Sequence, residues 1–190
     1  MRTSDTREAL TREIADTYQA IAPNAYPHAT AHAYHKLQTA LRAQFDILSA
    51  FVDVRTSDTD PYPDSAAMFQ DIARNRALTV YTSAELPAGH PMSDLAIAGD
   101  SPLSWNTVFR AVHDGLAHYP GRHSFGARGE WRAFQAHARL IGDSDVSALH
   151  ALFTETITQN AWYQVHGMFA PQKSVLMPWN LVARALALEV

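Results

Sequence analysis

The sequence predicts a mainly α (α+β) domain with a small two-stranded β element. Apolar residues recur at helical spacing through most of the chain. Only two short stretches, around residues 51–54 and 78–81, read as strands, and Pro, Gly and Asp clusters punctuate the rest. With 190 residues, 47% hydrophobic and 18% charged, the chain is long enough to bury one core. No internal repeat, low-complexity segment or linker divides it, so residues 1–190 form a single domain.

Ser4 or Asp5 caps a first helix, in which Leu10, Ile14, Tyr18 and Ile21 share one face and which Pro23 and Pro27 close. A second helix over about 32–51 carries Tyr34, Leu37, Leu41, Phe45 and Leu48 on one stripe. Residues 51–54 alternate as a strand, and Pro61 and Pro63 turn the chain. A short helix over 65–76 points Met68 and Ile72 inward, and the strand at 78–81 is able to pair with the first. Residues 82–104 lack a period and are rich in Gly, Pro, Ser and Asp, as lids and long surface loops are. Helices follow over about 105–118, 129–141 and 146–166, and a last one starts near Pro178, a favourable first-turn residue.

Composition narrows the function. A net charge of -4, with Lys and Arg scattered singly, gives no electrostatic case for nucleic acid. The absence of cysteine excludes disulfides, thiolate zinc sites and iron–sulfur clusters. The N-terminal stretch MRTSDTREAL has no apolar signal core, and no run approaches the roughly 20 apolar residues that span a bilayer. A cytoplasmic protein acting on a small-molecule substrate, without a membrane partner, is the expectation, and the oligomeric state is left open.

Ten histidines are many for this length, and their positions are informative. His113 shares the apolar stripe of Phe109, Val112 and Leu116, with Asp114 on the flank and His118 just before Tyr119-Pro120-Gly121. Two residues five apart do not stack on an α-helix, so convergence requires His118 to turn in at a frayed helix end. On the next helix Glu130, Phe134, His137 and Ile141 share a face, and on the one after that Leu152, Glu155, Gln159, Trp162 and His166 do. Carboxylates are seldom buried unless paired or bound to metal. Three consecutive helices that each turn such groups inward point to a metal site, although Glu130 with His137 also reads as a plain buried pair and Glu155 as a partner of Arg110 or Arg132. His28, His32, His35, His123 and His150 read as surface or loop residues.

The run from Phe109 to His118, with Phe125-Gly-Ala-Arg-Gly-Glu130, His137, Thr154-Glu155-Thr156, Gln159-Asn160, Trp162, Gln172-Lys173, Leu176 and Pro178, resembles an uncharacterised family found in phage and prophage proteins; Pro61-Tyr62-Pro63 and the strand at 78–81 fit it too. The His-Asp-x-x-x-His spacing followed by Phe153-Thr154-Glu155-Thr156 is also similar to the iron site of pterin-dependent aromatic amino acid hydroxylases. That resemblance implies a facial triad of His113, His118 and Glu155 on Fe(II), or on Zn(II) or Mn(II), in a non-heme oxygenase or hydroxylase. Asp114, Glu130, His137 and Gln159 would then orient the ligands or a bound water, inside an apolar wall that includes Phe109, Phe134, Phe153 and Trp162. Ala117 stands where that family has Gly before the second His, and no pterin pocket is recognisable, so the resemblance extends to the iron site and not to pterin use. Glu130 and His137 as ligands of a second metal form a variant.

Two other readings remain. The adjacent His113-Asp114 is shared with HD phosphohydrolases, which would need His90 and Asp143 or Asp145 as further ligands and would make the chain a metal-dependent hydrolase. Alternatively, the chain is a non-catalytic phage-derived binding or structural module whose buried polar groups keep its helices in register.

Overall fold

The computed structural model describes residues 3–82, 86–98, 102–143 and 145–189. Helix α1 (Thr3–Ala20) buries Leu10, Ile14 and Tyr18, and α2 (Pro27–Ser49) buries Tyr34, Leu37, Leu41, Phe45 and Leu48. Pro27 does not end the first helix. It opens α2 at the first turn, where a missing N–H costs nothing and its fixed φ suits the helix. Strand β1 (Asp53–Ser57), helix α3 (Ser65–Asn75) and strand β2 (Ala77–Tyr81) form a small β-α-β unit. The strands pair in parallel, Asp53 opposite Ala77, because α3 carries the chain back across the sheet. Asp64 caps α3 by accepting from the Ala67 N–H, and Arg76 leaves the helix in the left-handed region.

The segment after β2 is more ordered than its composition suggested. Its described residues include a 3₁₀ turn at Pro91–Ser93 and a second two-stranded sheet, β3 (Leu95–Ile97) antiparallel to β4 (Leu103–Ser104). His90 and Met92 are buried, and Gln38 of α2 donates to the Pro91 carbonyl. His90 and Met92 thus anchor to the core a stretch whose other described residues are largely at the surface.

Ser104 caps α4 (Trp105–Val112), which runs on through a π turn at His113–His118 into a short α5 (Tyr119–Gly121). Helix α6 (Ala127–Ile141) follows. Helix α7 (Val146–Phe153), capped by Asp145, continues through a second π turn at Thr154–Thr158 into α8 (Gln159–His166). Helix α9 (Trp179–Ala187) closes the bundle. The architecture is mainly α with minor β. No helix among the described residues is long and apolar enough to cross a membrane.

Gly129 lies where α6 begins, one residue before Glu130. A Cβ built there would stand 1.8 Å from the Ser124 carbonyl oxygen, which is backbone and cannot swing aside. Gly129→Ala is therefore expected to cost about 1–3 kcal/mol. That corresponds to a fall of roughly 2–4 °C in Tm per kcal/mol in a chain of this size. Urea unfolding checks it, and an unchanged midpoint would contradict the tight approach.

Candidate metal centre

Of the three inward-facing polar groups singled out by sequence, Glu130 with His137 lies on the regular helix α6, and the other two fall on π turns. In such a turn the N–H bonds five residues back, so the backbone makes a wider circuit. The Tyr119 N–H bonds the Asp114 carbonyl in this way. Pro120 supplies a cause: it has no N–H for the ladder, and its ring would press on the Leu116 carbonyl in a regular α-helix. Widening also places Gly115 flat against α2, where a Cβ would stand 2.6 Å from Leu48 Cδ1. In the second turn the Thr154 and Thr156 hydroxyls donate to the carbonyls of His150 and Leu152, competing with the α ladder.

The first π turn resolves the spacing of the histidine pair. His118 does not turn in from a frayed end, since the helix continues to Gly121. Instead the residue five positions on is carried over His113, and the two rings meet edge to face at 4.8 Å. Glu130 of α6 completes the group: its Oε2 lies 3.7 Å from His113 Nε2 and 3.5 Å from His118 Nε2. Ligand atoms of these three residues all lie within 4.8 Å of one another, close enough that the group could hold a metal ion.

The hydrogen-bond partners determine which ring nitrogen is free. His118 Nδ1 donates to the His123 carbonyl at 2.8 Å, leaving the Nε2 lone pair toward Glu130. His113 is set by a longer chain. Gln44 Oε1 accepts from His137 Nε2 at 3.0 Å, so His137 Nδ1 carries the lone pair and accepts from His113 Nδ1 at 3.2 Å. His113 Nε2 is then also a bare lone pair. Phe109 stacks on His113 with centroids 5.8 Å apart and holds the ring plane. Two imidazole lone pairs and a carboxylate thus converge with no donor between them, which is the arrangement of a cation site.

The electrostatics follow from this convergence. Burial pushes the Glu130 carboxyl up, but His113 and His118 outweigh it and bring it down to about 2. Burial pushes His118 down, while the Glu130 carboxylate, with Asp114 behind it, lifts it above its ordinary value. Burial, reinforced by the charges of His113 and His118, holds His137 well below its ordinary value, so it stays neutral as the relay requires. Burial raises the half-buried Asp114, and the two histidines oppose that rise.

A proton and a metal ion therefore compete for His118 Nε2. Metal affinity is expected to be full above the raised His118 value and to fall about tenfold per pH unit below it. Glu130 stays ionised through that range. Titration of metal binding between neutral and mildly acidic pH measures the slope, and a flat profile would remove His118 from the site.

Glu155, which the resemblance placed third in the triad, does not join the cluster. Its side chain is 6% exposed and accepts from the Tyr34 hydroxyl through Oε1, with His90 Nε2 3.7 Å away. It lies across a cavity of about 310 Å³ that is also lined by Phe109, His113 and Glu130. Glu130, expected in a supporting part, occupies the third ligand position. His137 has both ring nitrogens engaged, so it orients His113 and is not free to hold a second metal. Gln159 lines the cavity and exchanges hydrogen bonds with Gln172.

Of the aromatic wall, Phe109 faces the cavity. Phe134 and Phe153 pack edge to face in the core at 5.7 Å, and Trp162 packs on Tyr18 and His166. The further ligands of an HD site are not assembled. Asp145 caps α7, Asp143 is exposed, and His90 faces Glu155. His28, His32 and His35 are exposed, whereas His150 is half-buried and bonds the Met177 carbonyl.

Sequence reading missed Gln44 and Tyr34 as site residues, and it considered His90 only as a metal ligand and not as a neighbour of Glu155. An amide inside the Leu41–Leu48 stripe was the available signal for Gln44. Comparison with family models, with curated proteins and with solved structures returns no match.

Proposed function

We propose that the chain is a non-heme, Fe(II)-dependent oxygenase or hydroxylase acting on a small molecule at a mononuclear site of His113, His118 and Glu130. The observation that carries this reading is the pair of Nε2 lone pairs converging with the Glu130 carboxylate beside a cavity. Two imidazoles and one carboxylate on a single face of a metal leave positions open, as in Fe(II) oxygenases, where the metal supplies binding of dioxygen and substrate.

The chain's own residues do the rest. The Gln44–His137 relay and the His123 carbonyl aim the two imidazoles. Phe109 and Phe125 flank the histidines with apolar surface that limits water. Thr156, Gln159 and Asn160 line the far wall with groups able to hydrogen-bond a substrate. Phe109 and Phe125 beside the histidines support iron over zinc, because they would shield a reactive centre. The hydroxylase resemblance does not, since its third ligand, Glu155, stands outside the cluster. The phage-family resemblance adds no activity. Neither resemblance supports pterin as a cosubstrate.

Anaerobic reconstitution with equal Fe(II), Mn(II) and Zn(II), followed by metal analysis, tests the metal. About one iron per chain, with substrate-dependent dioxygen uptake, is the expected result. Zinc alone, with hydrolysis of ester or phosphate substrates and no dioxygen uptake, would replace this reading by that of a metal-dependent hydrolase.

A further inference from the structure

The cavity beside the three metal-competent residues is also lined by a second polar group that the metal does not use. Glu155 sits on the second π turn, nearly buried, in reach of the Tyr34 hydroxyl and of His90. His90 Nδ1 accepts from the Met92 N–H at 3.3 Å, so its proton is on Nε2. That N–H is fully buried, has no hydrogen-bond partner, and lies 3.7 Å from Glu155 Oε1. A metal there would have to displace this proton while Nδ1 still accepts from the backbone, which disfavours a second metal at His90. Both neighbours address Oε1, and Oε2 is left for a ligand.

The rest of the cavity indicates what that ligand carries. Its ionisable lining is His113, two carboxylates and the Tyr163 phenol, with no Lys or Arg among the described lining residues. Arg110, the nearest guanidinium acting on Glu155, lies over the Tyr81 ring. Aromatic rings line the cavity: Phe109 buried against His113, then Phe125, and Tyr163 with the largely exposed Phe169 5.3 Å from it. A buried carboxylate among ring faces is the environment that recognises an ammonium group, by ion pairing and by cation–π attraction. An anionic substrate would find no counter-ion among these protein groups.

We infer that the substrate is a small amine with an aromatic or other apolar body, its ammonium group held by Glu155 and its body directed between the rings toward His113 and Glu130. This rests on the proposed metal site only for the reaction, because Glu155 is not a ligand of that site. Burial raises the Glu155 carboxyl, with His90 and Tyr34 opposing, so an arriving ammonium favours its ionised form.

Calorimetric titration of the full chain with 2-phenylethylamine, 2-phenylethanol and 3-phenylpropanoate, with Zn(II) and again after EDTA, tests the inference. The amine is expected to bind at least about tenfold more tightly than the alcohol or the acid, a difference of ~1.4 kcal/mol. The preference should vanish in Glu155→Gln and persist, weakened, in Glu155→Asp, which keeps the charge and serves if the first variant does not fold. Equal or tighter binding of the alcohol or acid would overturn it. So would no binding of the amine at about 10 mM, or a preference that survives in folded Glu155→Gln. After EDTA the ionised Glu130 is a second carboxylate in the cavity. The difference between the unaltered chain and Glu155→Gln therefore reports on Glu155, and failure of metal binding and failure of amine recognition stay separable.

Discussion

Glu130→Gln is expected to lower metal affinity by more than about 100-fold, beyond the roughly 10–100-fold cost of losing an outer partner. Glu155→Gln should leave it within a few-fold. The reason is geometric: Glu130 Oε2 lies within 3.7 Å of both histidine Nε2 atoms, whereas Glu155 is committed to Tyr34 and faces His90. The amide is nearly isosteric with the carboxylate but brings an N–H donor and no charge to two lone pairs that need a cation. Equilibrium dialysis with Zn(II) or Fe(II) on both variants measures the contrast. The reverse order, with Glu155→Gln the damaging change, would restore the triad that the hydroxylase resemblance implied.

Changes at Gln44, remote from the metal, should have the next largest effect. Gln44→Leu removes the acceptor that puts the proton on His137 Nε2. His137 can then carry its proton on Nδ1, and His113 Nδ1 becomes the acceptor. Its Nε2 takes the proton and ceases to be a ligand. Affinity should fall roughly 10–100-fold, and the buried His137 Nε2, left without a partner, should cost about 1–3 kcal/mol of stability. Gln44→Glu keeps an acceptor at the same place and should retain most of the affinity. That rescue separates tautomer control from mere packing, because a packing role would penalise the charged residue more than leucine. Metal titration beside urea unfolding on the two variants gives both numbers.

The mainly α architecture was legible because apolar spacing carries it. Leu10, Ile14 and Tyr18, or Leu37, Leu41 and Leu48, are the buried faces that their periodicity announces. Strand β2 was legible as a short apolar run, whereas the strand expected at 51–54 overlaps β1 only at Asp53 and Val54, and the parallel pairing depends on the α3 crossover. Within residues 82–104 the burial of His90 and Met92 was not legible, because Gly and Pro content says nothing of it. His113 and His118 were legible as a pair, and the reason for their convergence was not. Periodicity arguments assume 3.6 residues per turn, and the π turn before Pro120 breaks that assumption at the site itself. The choice between Glu130 and Glu155 was equally out of reach. Both lie on inward faces, and only the packing of α6 against the first π turn decides which carboxylate meets the imidazoles. Tautomers are also set by tertiary partners, so Gln44 read as one more residue of the α2 stripe.

The most direct measurement is a crystal structure of anaerobically Fe(II)-loaded protein with anomalous scattering collected at the iron edge. An iron peak about 2.0–2.2 Å from His113 Nε2, His118 Nε2 and a Glu130 carboxylate oxygen is the expected result. An iron peak held by Glu155 and His90, or none between the two histidines at full iron loading, would contradict it.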